Sequence, residues 1–223
     1  AEPTLDQRLV VLRLLAEVGG HTTVAAVESV CVGIPAEQEV LSQLSEVVEA
    51  ALISALRRDT RTFDDLRSRI ERDVLPTRLG QQMARALGSV GLGRGLGVLE
   101  RMLGQSLQLD LAVIDAIGKL SPFDEPRAVF DAARTLRPFL PSIQPEVRRQ
   151  AALALGDLQD GESVPELLGL LEDSDRRVRR GASLALARIS GLDGSEDPVV
   201  WKRWNEEELD WLESELDPLV EEL

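Results

Sequence analysis

The chain has little of what most enzyme sites are built from. Among its 223 residues there is one cysteine (Cys31), one histidine (His21), two methionines and no tyrosine, and aromatics make up only 3%. A single cysteine excludes an internal disulfide. A single histidine excludes a multi-histidine metal site, and no D-x-D-x-D-G loop for calcium is present. Cys31 lies on an apolar helical face without a histidine neighbour in sequence, which reads as a small core hydrophobe rather than a nucleophile. No apolar run approaches the ~18 residues of a membrane helix. The four glycines from Gly91 to Gly97 do not have G-x-G-x-x-G spacing and follow no strand, so they read as a turn and not a nucleotide loop.

Positive charge is also scarce. The formal net charge is −14, with a pI near 4.6, and a phosphate backbone repels such a chain. No nucleic-acid partner is expected. The excess is uneven: from Ser195 onward eleven acidic residues stand against Lys202 and Arg203, a net of −9, which leaves −5 for everything before. The start, Ala-Glu-Pro without Met, reads either as a trimmed end or as the mature end left by signal-peptide removal, and the second points to export.

What the sequence does have is Leu, Val, Ala and an internal repeat. Val147-Arg148-Arg149 returns as Val178-Arg179-Arg180, and Ala151-Ala152-Leu153-Ala154-Leu155 as Ala182-Ser183-Leu184-Ala185-Leu186. The period is 31 residues, in the range of repeated helical pairs. Each copy reads as two helices. Val164–Leu171 has helical apolar spacing, Asp173-Ser174-Asp175 makes the turn, and Val178–Ile189 follows. Ala151, Ala154, Ala182 and Ala185 are small enough for neighbouring helices to approach closely. Weaker copies begin at Leu79 and Leu109, so second helices start near 79, 109, 147 and 178. Glycines at 88, 118 and 156 recur near their ends, which predicts helix termination through a left-handed residue.

Upstream, Leu5–Val18 carries a stripe of Leu5, Leu9, Leu12, Leu15 and Val18. Thr22 or Thr23 caps a short helix through Val32, and Ala36–Arg58 is the longest periodic segment. Downstream, Asp197-Pro198 reads as a helix start, with Asp as cap and Pro in the first turn. The three tryptophans, Trp201, Trp204 and Trp211, follow together and predict a cap over the open face of the last repeat.

The stretches D-x-D-x-x-V-R-x-x-A at Asp173–Ala182, V-R-x-x-A-x-x-A-L-G at Val147–Gly156 and V-P-E-L-L-x-L-L at Val164–Leu171 resemble a HEAT repeat of the short, phycobilin-lyase-like type. The resemblance implies an all-α, right-handed solenoid of stacked antiparallel helix pairs. Residues 1–58 would form a divergent N-terminal cap, 59–191 four repeats and 192–223 an acidic capping helix, all in a single domain. It also implies a ladder tying repeat to repeat, in which Asp173 or Asp175 pairs with Arg179. Arg148 fits the ladder as well, although the turn preceding it lacks an Asp.

The resemblance places second helices on a concave surface. Arg149, Arg177, Arg180 and Arg188 would line it and bind a protein partner of unknown identity. The expected function is therefore a non-enzymatic scaffold or adaptor, with no catalytic residue, cofactor or metal. Two alternatives stand beside it. One is a subunit of a larger assembly docking through the acidic C-terminal helix. The other is an enzyme or enzyme accessory, lyase-like or related to HEAT-type DNA glycosylases, and the glycosylase variant is disfavoured by the net charge.

Overall fold

The computed structural model describes residues 4–31, 38–72, 77–120, 126–195 and 197–220, without the side chains of 38–43, 72, 77, 126 and 212–220. The described residues fold into twelve α-helices and three short 3-10 turns, with no strand. They fall into two compact units, Ala1–Leu136 and Arg137–Leu223.

The first unit contains α1 (Leu5–Val18), α2 (Thr23–Cys31), α3 (Gln38–Arg58), α4 (Arg61–Arg72), α5 (Thr77–Val90), α6 (Leu96–Met102), α7 (Leu107–Gly118) and α8 (Pro126–Leu136). Helices α1, α3, α5 and α7 pack side by side in one layer. Helices α2, α4, α6 and α8 follow one another in a second layer. The starts are set locally. Thr4 and Gln7 form a reciprocal capping box on α1, and the Ser106 hydroxyl accepts the Leu109 N–H on α7. The core is aliphatic: Leu52, Leu56, Leu66, Met83, Leu87, Leu99, Ile114 and Ile117 are all buried.

On α1 the expected stripe is only partly inside. Leu12 is fully buried, but Val18 is 77% exposed. Arg8 takes an inner position instead and donates to the carbonyl of Val30 at 2.6 Å. Its head finds a backbone acceptor, which makes burial of an arginine tolerable.

The second unit contains α9 (Pro145–Asp157), α10 (Val164–Leu170), α11 (Arg176–Ser190) and α12 (Pro198–Val220). The helices α5, α7, α9 and α11 each begin two residues before the matched positions 79, 109, 147 and 178. Helices α9 and α11 lie side by side, with α10 against α11 and α12 against α10. Ala151, Ala154, Ala182 and Ala185 are all buried between them.

The recurring glycines act differently from the expectation. Gly88 and Gly156 are inside α5 and α9, and among the described glycines only Gly91, Gly104 and Gly191 have φ in the left-handed region. A Cβ on Gly156 would sit 2.6 Å from the Ala185 Cα, and one on Gly88 would sit 2.8 Å from the Ala116 Cα. These glycines set how closely neighbouring second helices approach. Left-handed termination falls instead at Gly191, whose φ is 74° and whose N–H reaches the Ala187 carbonyl. Val32 and Ala36, the expected end of the second helix and start of the third, lie outside the described residues.

Candidate functional site

The turn before α11 is held by a bidentate ion pair. Asp173 accepts two parallel bonds from the Arg148 guanidinium, at 2.7 Å from Nε and 2.8 Å from Nη2. Arg148 also donates to the Ser142 carbonyl at 2.8 Å. The rung therefore runs from α9 forward to the next turn. Arg179, one period on, bonds the backbone carbonyls of Asp173 and Ser174 rather than a carboxylate. Both side chains of the Arg148–Asp173 pair are largely covered, with 14% and 9% exposed. The Arg148 guanidinium holds the Asp173 carboxyl below the usual carboxylate range, against an opposing effect of burial. Asp175 caps α11: its carboxylate accepts the Arg177 N–H at 2.7 Å. A second clamp joins Arg137 to Asp160 in bidentate fashion at 2.6 and 2.8 Å, and to Glu162 at 2.5 Å.

The outward face of α9 and α11 is arranged in matched steps. A shift of 31 residues pairs Glu146 with Arg177, Arg149 with Arg180, Leu153 with Leu184 and Asp157 with Arg188. The first and last steps are ion pairs. Arg177 lies 3.4 Å from Glu146 and 3.0 Å from Asp175, and Arg188 lies 2.8 Å from Asp157. Arg188 also donates to the Leu153 carbonyl. Two of the four arginines expected to face a partner are thus neutralised from within the unit. The other two, Arg149 and Arg180, are not buried and have no carboxylate within ion-pair distance among the described residues. Gly181 explains where Arg149 runs, since a Cβ there would meet the Arg149 Cγ at 3.1 Å. The bare backbone of α11 leaves room for the arginine stem to cross onto it. Leu184, the next step, is 41% exposed.

The C-terminal helix divides its three tryptophans. Asp197 accepts the Val199 N–H at 2.9 Å, and Pro198 opens α12. Trp201 is fully buried, and its indole N–H donates to the Ser195 carbonyl at 2.7 Å. The Ser183 hydroxyl from α11 donates to that same carbonyl. Trp204 meets Trp201 edge to face, with ring centroids 6.2 Å apart. Trp211 is 56% exposed and does not share this burial. It comes after Glu206–Asp210, all exposed.

A family model for HEAT repeats matches residues 133–214. Solved structures agree on the architecture. A designed armadillo repeat protein in complex with peptide (KR)4 matches at 13% identity and a TM-score of 0.51, over 81% of this chain and 91% of that one. A crystal structure of an engineered protein from the Northeast Structural Genomics Consortium matches at 16% identity and a TM-score of 0.50, over 86% of this chain and 95% of that one. The chain has a HEAT/armadillo-repeat-like all-α fold. No curated protein matches it by sequence.

In HEAT/armadillo-like folds the repeat supplies the scaffold and the exposed steps supply the chemistry. Among the described residues, no group of three or more His, Cys, Asp or Glu side chains is placed to hold a metal ion. No described helix is long and apolar enough to cross a membrane. His21 is surface-exposed, its Nδ1 3.0 Å from Asp59, which is in turn held by Arg61 at 2.9 Å. Cys31 is half-buried, and burial pushes its thiol pKa up, away from nucleophilic character. The neutralising roles of Glu146 and Asp157 were missed from sequence. Writing the two copies under each other at the period of 31 shows an acid opposite each of Arg177 and Arg188.

Proposed function

We propose that the chain is a protein-binding scaffold whose second-helix face in the Arg137–Leu223 unit docks an acidic segment bearing an aliphatic side chain. The observation that carries this reading is the contrast between the steps. Glu146–Arg177 and Asp157–Arg188 are closed ion pairs, whereas Arg149 and Arg180 stand at matched positions with no carboxylate within ion-pair distance among the described residues. Two like charges on adjacent helices repel each other mildly, and a carboxylate bound between them relieves that repulsion. Leu184 supplies the apolar contact on the adjoining step. Peptide capture has a precedent in the fold, since the designed armadillo protein is in complex with a basic peptide. Here the exposed charge is of the opposite kind.

The test is a peptide-display selection on the wild-type chain, followed by affinity measurement on Arg149→Glu/Arg180→Glu and Arg177→Glu/Arg188→Glu variants. Selected peptides should carry Asp or Glu next to Leu or Ile. The first variant should lose about tenfold or more in affinity, given ~0.2–1 kcal/mol per exposed pairing and added repulsion on reversal. Equal losses in the two variants, or peptides without acidic residues, would refute the placement.

A second reading is favoured by α12. Its exposed Glu206–Asp210 segment carries Leu209 at 50% exposure within a strongly acidic stretch, which suits docking onto a basic subunit. Truncation before Glu206 that abolishes assembly while leaving helicity and the Trp201 environment intact would support it.

A further inference from the structure

We infer that the first unit holds a separate binding site for an elongated organic molecule with an anionic group at each end, in the hollow between α6 and α8. The hollow has a volume of about 540 Å³, within the range of small-molecule sites. One wall is Gly93, Arg94, Leu96, Gly97 and Glu100. The other is one face of α8, carrying Arg127, Ala128, Asp131, Arg134 and Thr135.

Three features make this a site and not a gap. First, Arg94, Arg127 and Arg134 all line it, and none has a carboxylate within ion-pair distance among the described residues. Arg61 pairs with Asp59, Arg67 and Arg101 with Glu71, and Arg69 with Asp65 and Glu28, while Arg13, Arg57, Arg78 and Arg85 pair with no acid among the described residues; what sets Arg94, Arg127 and Arg134 apart is that they converge on one hollow. Second, the walls are fixed. The Thr135 hydroxyl donates to Glu100 at 2.7 Å, bridging α8 to α6. Arg94 lies over the Phe63 ring, 5.4 Å from its centroid, which anchors the guanidinium by its face and leaves its N–H edge available. Third, there is open space beside Gly97, where a Cβ would have only the Arg101 guanidinium within 4 Å.

The spacing selects the ligand. Arg127 and Arg134 are seven residues apart on one helix face, about 10 Å along the axis, with Asp131 between them. A compact anion spans only one of them, and a continuous polyanion would meet Asp131 in the middle. A molecule with an anionic group at each end and a neutral body satisfies both guanidiniums and avoids the carboxylate. Its body would lie across Ala128 and Leu96. Planar guanidinium forks bind terminal phosphate or carboxylate in bidentate fashion. The site is independent of Arg149 and Arg180.

The experiment is calorimetric titration of the full chain at low salt with hexane-1,6-diyl bisphosphate, and with hexyl phosphate as the single-anion control. Octanedioate serves as the carboxylate counterpart. The bisphosphate or the dicarboxylate, or both, should bind at least tenfold more tightly than hexyl phosphate. That preference should vanish in Arg127→Gln/Arg134→Gln and persist in Arg149→Gln/Arg180→Gln. Arg127 and Arg134 are exposed, so their variant should retain wild-type helicity, checked by circular dichroism. No binding by either two-ended probe at millimolar concentration would overturn the inference. So would equal binding of one- and two-ended probes, or an unchanged preference in Arg127→Gln/Arg134→Gln.

Discussion

Replacing Gly156 with Ala sets two effects of known sign against each other. In a helix, Ala is favoured over Gly by roughly 0.5–1 kcal/mol, because the unfolded chain loses less freedom. At this position the added methyl would lie 2.6 Å from the Ala185 Cα and 2.9 Å from its Cβ. The obstacle is backbone on α11, not the flexible end of a side chain, so the two helices must separate. Overpacking of this kind costs about 1–3 kcal/mol. Separation would also loosen the buried contacts among Ala151, Ala154, Ala182 and Ala185, so the upper half of that range applies. The net expectation is destabilisation by about 1–2 kcal/mol. Gly169→Ala is the matched control. Gly169 is also the penultimate residue of its helix, and a Cβ there would meet nothing within 4 Å. That change should stabilise by up to ~1 kcal/mol. Urea unfolding followed by circular dichroism and tryptophan fluorescence reads both. Gly156→Ala as neutral or stabilising as Gly169→Ala would refute the claim that glycine sets the spacing between these helices.

Three further outcomes follow from the same unit. Asp173→Ala should cost about 2–3 kcal/mol, since it leaves the largely covered Arg148 guanidinium without its bidentate partner. Because the folded state lowers the Asp173 pKa, its contribution is fully present above the unfolded value near ~4 and is lost as pH falls through the folded value. Stability measured by urea titration from pH 6 downward should therefore fall less steeply in Asp173→Asn than in wild type. Trp201→Ala should cost about 3–5 kcal/mol, because the ring is fully buried and hydrogen-bonded, whereas Trp211→Ala should change stability by less than ~0.5 kcal/mol. Thermal unfolding of the two variants side by side checks the contrast. Asp197→Ala should cost about 1 kcal/mol through loss of the bond to the Val199 N–H, read as a lower urea midpoint for the tryptophan signal.

Most of the helical layout was legible in the chain, for a physical reason. Val147 and Val178, with the alanines that follow them, must face the same neighbours in each copy, so packing writes a period into the sequence. The start of α12 was legible through Asp197-Pro198, because a cap is chemistry between adjacent residues. Partnerships across the period were not. The Arg148–Asp173 rung spans 25 residues and the Arg188–Asp157 pair spans 31, and neither leaves a local mark. The role of Gly156 was equally hidden, since a glycine near a helix end reads as a terminator unless the opposing Ala185 is known to lie against it. Arg8 was missed for a related reason: periodicity assigns an inner position to an apolar residue, and only the distant Val30 carbonyl makes an arginine acceptable there.

The two proposed sites differ in a way that bears on how such a scaffold acquires function. Arg149 and Arg180 on α9 and α11 are copies of one another, so that positive charge is doubled by the repeat. A partner reading Arg149 and Arg180 must itself present acid across two adjacent helices. The hollow between α6 and α8 is not a repeated feature. It depends on Arg94, whose counterpart in the 3-10 turn before α10 is Glu162. The consequence is separability: charge reversal at Arg149 and Arg180 should leave binding of the two-ended anion intact, and neutralising Arg127 and Arg134 should leave peptide capture intact. Loss of both activities in either variant would mean that one of the substitutions acts through the fold and not through its own site.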